Sequence, residues 1–281
     1  MTRVKMTNNF LTFDIEEWFH ANYSSVNISK YSHLPTTLPN LVDILIHEMD
    51  EVGVKSTCFI VGNVAKKYPQ IVKKLHKAGH EIASHSMHHK LMYSLKPSEF
   101  VQDTYESCET LQSLTGTKVL GYRAPSWSVK ENMLGWFYDG LRKNGIEYSS
   151  SVFPAANYLY GIDDVTPFPH VVEGGSGCIE IPCSVGSILN KKFGFSGGFY
   201  FRVFPKWFIK TFAHSLNDKG IPVVFYLHPR EIDVQQEKLD LPLHENLIHY
   251  WNIAGTLPKL REVMRLYKKS FTRMDTFFGT V

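Results

Sequence analysis

The chain has 281 residues, enough to bury a full core and within the usual size of a single α/β barrel. Hydrophobic residues make up 43% and charged residues 20%, and the formal net charge of +3 is spread over mixed signs without the basic tract that a nucleic-acid-binding protein needs. The polar stretch before Phe10 holds no signal peptide, no run is apolar and long enough to span a bilayer, and Cys58, Cys108, Cys178 and Cys183 lack metal-binding or redox spacing, so a cytoplasmic protein is expected.

Short apolar runs alternate with longer amphipathic ones. Asn9–Ile15 reads as a strand and Leu38–Val52 as a helix, followed by strand Ser56–Val61, helix Asn63–Ala78 and strand Glu81–Ser84. A helix over Pro97–Leu114 starts at a proline and ends near Gly116. Strand Val119–Tyr122 and helix Asn132–Asn144 come next. Residues 149–177 are rich in Pro, Gly, Ser and aromatics, and read as long loops with room for one hairpin. Strand Ile179–Cys183, helix Pro205–Lys219 and strand Pro222–Leu227 restore the alternation, and an amphipathic surface helix runs from about Thr256 to Lys268. Repeated βα units imply parallel strands with helices outside, in one domain over residues 1–281.

Four strand ends carry groups capable of chemistry, and in a βα barrel the active site lies at such ends. In Asp14-Ile15-Glu16-Glu17 the alternation of a strand puts Asp14 and Glu16 on one face and Glu17 on the other. Two carboxylates in an apolar setting call for a cation or a proton; the alternative is a helix start, where they complement the dipole. His85 and His89 are spaced so that one turn of helix or loop aims both imidazoles at a single point, as metal ligands require. His88 is a rival ligand, whereas His80 precedes the strand and belongs at its far end. Arg123 ends a strand ahead of Ala124-Pro125-Ser126-Trp127 and can hold a carboxylate by a bidentate hydrogen bond. His228 closes the most apolar strand, placed either as a general acid or as a packed histidine at the barrel mouth.

Taken in order, these motifs resemble the polysaccharide deacetylases, the chitin-deacetylase-like carbohydrate esterases. The chain is most similar to the subgroup with exosortase-associated and peptidoglycan deacetylases, which resemble allantoinase-type amidohydrolases. The resemblance rests on Phe13-Asp14-Ile15-Glu16-Glu17-Trp18-Phe19-His20, His85-Ser86-Met87-His88-His89, Tyr122-Arg123-Ala124-Pro125-Ser126, Ser149-Ser150-Ser151-Val152-Phe153-Pro154 and Phe225-Tyr226-Leu227-His228-Pro229, between about residues 10 and 230. It implies an irregular (β/α)7-like barrel. It also implies Asp14 as general base, Glu16, His85 and His89 as ligands of a divalent metal, zinc above all, and Arg123 as the tether of Asp14. The Ser126 N–H would help form an oxyanion hole, with Trp127 beside the substrate, and His228 would protonate the leaving amine.

The sequence departs from the family pattern twice. The second carboxylate of the first motif is Glu16, with Glu17 next to it, so either glutamate is open as the ligand. Ser149 stands where an aspartate usually orients the acid histidine, and Glu231 is a candidate replacement. Among aromatic residues, Trp18, Trp127, Tyr158, Tyr160, Phe199 and Tyr200 are candidates for stacking on a sugar ring. The resemblance implies hydrolysis of the N-acetyl group of an amino sugar, in a surface-polysaccharide precursor or oligosaccharide, with release of acetate. A metal-free amidohydrolase and a non-catalytic sugar-binding module are the alternatives. No sequence feature fixes the oligomeric state.

Overall fold

The structure is a computed structural model that describes residues 8–23, 26, 28–155, 161–163, 165–172 and 177–280. Strand β1 (Asn9–Ile15) runs through its middle with all seven residues buried. A strand covered on both faces must be apolar or satisfy its own polar atoms. Thr12 does so by donating its hydroxyl to the Phe225 carbonyl, 2.9 Å away.

After β1 come α1 (Ile28–Tyr31), α2 (Leu38–Val52), β2 (Thr57–Ile60), α3 (Gly62–Lys67), α4 (Pro69–Lys77), β3 (Glu81–Ser84) and α5 (Pro97–Thr115). Then follow β4 (Gly121–Tyr122), α6 (Leu134–Lys143), β5 (Tyr148–Ser149), β6 (His170–Val171) and β7 (Ile179–Glu180). The chain continues with the hairpin β8 (Val185–Ile188) and β9 (Lys191–Gly194), α7 (Gly198–Val203), α8 (Lys206–Asp218), β10 (Val224–Leu227), α9 (Leu243–Tyr250), α10 (Thr256–Tyr267) and β11 (Phe271–Thr272). The large sheet has the order β10-β1-β2-β3-β4-β5-β7, every neighbouring pair parallel, with β6 antiparallel on β7 at the edge and β11 beside β1. This curled sheet with helices packed outside is the irregular (β/α)7-like barrel expected from the sequence.

Register is what gathers the site. Phe13 pairs with Leu227, Asp14 with Phe59, Ile60 with Ser84, and Ser84 with Tyr122. The next residues along these strands, Glu16, His85, Arg123 and His228, therefore leave the sheet at one end.

The strands Asn9–Ile15 and Glu81–Ser84 and the helix Leu38–Val52 have the bounds read from the sequence, and the remaining elements read there differ by a few residues. Three differences have physical causes. The expected helix Asn63–Ala78 is broken at Tyr68, which leaves helical geometry before Pro69, as the steric demand of proline requires. β6 and β7 form an antiparallel pair that spans the end of the Pro- and Gly-rich stretch, but a second hairpin, β8–β9, lies beyond it and was not expected. Helices α7 and α9 have no counterpart among the elements read from the sequence, because neither is long enough to show a clear period. At Gly197 an added Cβ would overlap the Tyr226 carbonyl, so this position admits only glycine where the chain crosses β10. All four cysteines are buried and none is in a disulfide, and a buried thiol was expected for Cys58. Among the described residues no helix is long and apolar enough to cross a membrane.

Candidate metal and catalytic site

Asp14 and Glu16 project from the end of β1 into a cavity of about 300 Å³, and Glu17 points away, as strand alternation requires. Glu17 accepts a hydrogen bond from Thr36 Oγ1 at 2.6 Å, in a separate buried niche, and burial raises its pKa. Of the two glutamates, Glu16 is the one that meets the histidines.

His85 follows β3 directly, and His89 closes the loop after it. Ser86 and His89 both have positive φ, and the His89 N–H bonds to Ser86 Oγ at 2.9 Å, so the loop turns sharply enough to bring both rings inward. His88 lies on the outer side, 3.0 Å from Asn63 Nδ2, and His80 sits at the opposite end of β3 against Ser56. Met87 N–H donates to Asp103, which pins the loop from beneath at 2.7 Å.

One ligand atom each from Glu16, His85 and His89 falls within a group no wider than 4.8 Å, all three residues buried. His85 Nδ1 lies 2.8 Å from the Arg123 carbonyl, a bond only an Nδ1–H can make, so Nε2 presents its lone pair to the group. Burial holds the His85 pKa down to about 4, against the pull of Asp14, and keeps the ring neutral near pH 7. His89 Nε2 stands 2.6 Å from Glu16 Oε2 yet has no hydrogen-bond partner among the described residues. At that separation either the imidazole carries a proton on Nε2 and shares it with Glu16, or a cation takes the place of that proton. Two imidazoles and a carboxylate match the donor preference of zinc and similar divalent ions, so these residues fit a metal. The Glu16 pKa falls well below the carboxylate range, because His89, His228 and His85 together outweigh the opposing effect of burial.

Arg123 is buried beneath this group. Its Nη1 donates to Asp14 Oδ1 at 2.6 Å and to Thr12 Oγ1 at 2.9 Å, while Nη2 and Nε reach the Ser150 hydroxyl and carbonyl. The guanidinium also lies over the Phe59 ring, 4.0 Å from its centroid. Asp14 Oδ2 is left facing His85 Nε2 and His228 Nε2, at 3.9 and 3.8 Å. Beyond Arg123, Ser126 and Trp127 both take positive φ, a costly conformation for such residues that holds Ser126 on the cavity wall.

His228 enters from β10. Its Nε2 is 3.9 Å from Glu16 Oε1, and its Nδ1 is 3.3 Å from Glu231 Oε2. Glu231 Oε1 in turn accepts from Arg202 Nε at 3.1 Å. Burial works against protonation of His228, but Glu16 and Glu231 outweigh it and raise the pKa. The Glu231 pKa is held down to about 2 by His228 and Arg202, against burial.

Ser149 is not the partner of His228. Its hydroxyl donates to Ser151 Oγ at 2.8 Å and belongs to the network around Glu180, so the acid beside the histidine comes from the residue three positions after it. Trp18 packs in a buried cluster with Phe19, Tyr31 and Leu239 and does not line the cavity, whereas Trp127, Phe199 and Tyr200 do. Tyr158 and Tyr160 lie outside the described residues.

Among the cavity residues without an assigned role in the sequence are His20, Asn22 and Arg230. His20 stacks on His89 with centroids 5.0 Å apart, and Asn22 Nδ2 bridges His89 Nδ1 and Ser126 Oγ at 3.3 and 3.0 Å. Arg230 stands 3.9 Å from Glu16. His20 and Arg230 were visible as neighbours of the motifs; Asn22 gave no signal.

Comparisons with known proteins bear on the family and the fold. Residues 10–148 match the polysaccharide deacetylase family, and residues 150–279 match a domain of unknown function, DUF3473. A peptidoglycan deacetylase-like protein of Gibberella zeae is 32% identical over 126 residues, 44% of this chain and 36% of that protein. The peptidoglycan-N-acetylmuramic acid deacetylase of Bacillus subtilis is 29% identical over 146 residues, 43% of this chain and 53% of its own length. This chain thus spans between about a third and a half of these relatives. Among solved structures, a protein of Mycobacterium smegmatis described as a candidate polysaccharide deacetylase superposes with a TM-score of 0.65 at 16% identity, over 100% of this chain and 92% of that one. The Puue allantoinase superposes with a TM-score of 0.63 at 17% identity, over 95% and 87%. At such identities the likeness is one of fold.

Proposed function

Because the chain belongs to the polysaccharide deacetylase superfamily, we propose that it is a metal-dependent hydrolase that removes the N-acetyl group from an amino sugar and releases acetate. The observation that carries the reading is the convergence of Glu16, His85 and His89 beside an Asp14 already held by Arg123. The substrate class follows from the relatives, whose names specify peptidoglycan sugars. The two matched regions act as one catalytic unit, since His228 and Glu231 come from the second and the other site residues from the first.

Each residue then has a role. Glu16, His85 and His89 hold the ion, which supplies Lewis acidity toward the acetyl oxygen and acidifies water. Asp14 accepts the proton of the attacking water, and Arg123 keeps its carboxylate oriented. The Ser126 N–H, on its strained turn, donates to the developing oxyanion, a contribution of a few kcal/mol for one well-placed donor, roughly. His228, supported by Glu231, delivers a proton to the departing nitrogen. Trp127, Phe199 and Tyr200 offer flat faces to a pyranose ring.

The alternatives fit less well. A metal-free amidohydrolase has no use for a buried carboxylate between two imidazoles, and a sugar-binding module has no need of Asp14 locked by a buried arginine. An acetate-release screen decides the matter, run on nucleotide-linked, lipid-linked and oligomeric N-acetylhexosamines with and without a chelator. Release that disappears on chelation and returns with zinc is the expected result; full activity after exhaustive chelation rejects the mechanism.

A further inference from the structure

Three arginines lie at or behind the site, and two of them are each paired with a carboxylate in hydrogen-bond contact. Arg123 meets Asp14, Thr12 and Ser150. Arg202 meets Glu231 and the carbonyls of Ile248, His249 and Trp251. Arg230 differs. Its side chain lines the cavity and is mostly buried, yet its Nε has no hydrogen-bond partner among the described residues. Its Nη1 has a long contact, 3.4 Å, with His249 Nδ1. That imidazole carries no charge to balance the guanidinium, because burial and the two nearby arginines hold its pKa down to about 2. The nearest carboxylate oxygen, Glu16 Oε1, is 3.9 Å away, beyond hydrogen-bond reach, and the same glutamate already meets His89. A guanidinium carries five N–H donors in a flat fork suited to a carboxylate or a phosphate.

We propose that Arg230 reads an anionic substituent of the substrate, a carboxylate or a phosphate carried next to the acetamido group. The inference rests on the proposed deacetylase reading and narrows its substrate class. Arg230 Nε and His228 Nε2 each lie 3.9 Å from Glu16 Oε1, so the guanidinium and the imidazole border the same carboxylate in the cavity. The ligands that test this carry the charge on a carbon adjacent to the nitrogen-bearing one, as a phosphate ester at C1 or a carboxyalkyl ether at C3. Among the described residues the carboxylates that line the cavity are Asp14, held by Arg123, and Glu16, which meets His89.

The test compares three ligands: neutral N-acetylglucosamine oligomers, N-acetylglucosamine 1-phosphate, and a 3-O-carboxyalkyl N-acetylglucosamine. Equilibrium binding by calorimetry on the metal-free protein is measured alongside kcat/KM of the zinc-loaded enzyme. The wild-type protein is expected to favour one anionic ligand over the neutral one by about tenfold, in both readouts. The arm that gains identifies phosphate or carboxylate. Arg230→Gln should remove that preference, and Arg230→Lys, which keeps the charge but not the fork, should retain part of it. Equal binding of charged and neutral ligands by the wild type overturns the proposal, as does a preference that survives Arg230→Gln. Absence of acetate in every arm would reject the deacetylase reading, while calorimetry would still decide the role of Arg230.

Discussion

Asp14 and Arg123 are 109 residues apart in the chain and 2.6 Å apart in the fold, and both are buried. A buried carboxylate and guanidinium depend on one another, since removal of either leaves a charge in an apolar setting. Arg123→Ala is therefore expected to cost about 3–5 kcal/mol of stability and to loosen the orientation of Asp14. Asp14→Asn keeps the shape of the side chain but cannot accept a proton. It should lower kcat by roughly 10²–10⁴-fold, with metal content and substrate affinity little changed. Denaturant unfolding and steady-state kinetics check the two variants. A protein that loses its metal with Asp14→Asn but keeps the activity of the residual holoenzyme would exchange the roles of Asp14 and Glu16.

The ligand assignment makes a separate claim. His85→Ala should abolish both bound metal and activity, and a chelator should do the same to the wild-type enzyme. Glu17→Gln should leave the metal in place, because Glu17 bonds to Thr36 in its own niche. Elemental analysis of the purified variants separates the two glutamates. Loss of the ion in Glu17→Gln would mean that the buried niche, and not the cluster around Glu16, is the metal site.

Much of this site could be read from the chain because its determinants are local. The period of two on β1 separates Glu16 from Glu17, and the spacing of His85 and His89 survives in a loop as well as it would in a helix. Arg123 and His228 were legible because each ends an apolar run. What could not be read depends on contacts between distant elements. Ser149 occupies the motif position of an orienting acid, yet the curl of the sheet turns it toward Glu180, and Glu231 reaches His228 through a turn that begins at Pro229. Trp18 had the same composition signal as Trp127, but only the packing of Tyr31 and Leu239 reveals that it is core. Asn22 acts through a positive φ and two hydrogen bonds, neither of which leaves a trace in a single sequence.

Glu81, at the opposite end of the barrel, predicts how stability varies with pH. It accepts hydrogen bonds from Thr57 and Tyr148, each at 2.6 Å, and from the Asp275 N–H at 3.1 Å, and so ties the carboxy-terminal segment to β3. Burial, and then the Asp275 charge, push its pKa up to about 7. The folded state thus holds a proton that the unfolded chain releases at lower pH. Below the unfolded pKa both states are protonated and there is no penalty; stability is lost as pH rises toward about 7. Glu81→Gln is locked in the neutral form. Its melting temperature relative to wild type should be more favourable at pH 8 than at pH 5, by calorimetry, and a difference independent of pH would show that Glu81 is ionised throughout.

The pair His228 and Glu231 sets the alkaline limit of catalysis. A general acid must carry its proton when the amine departs, so activity should fall as pH rises through the His228 pKa. Burial lowers that pKa, but Glu16 and Glu231 outweigh it, and the net shift is upward, which extends the active range toward alkaline pH. Glu231→Gln removes one of the two negative charges and should move the upper limb of the kcat/KM profile to lower pH. It also unpairs the buried Arg202, so the profile is to be taken on protein whose melting curve shows it folded. Ser149→Asp should leave the limb where it is, because Ser149 bonds to Ser151 rather than to His228. His228→Ala should flatten the limb and cut activity far more than Ser149→Ala does. An upper limb unmoved by both Glu231→Gln and His228→Ala would assign the acid to another group in the cavity.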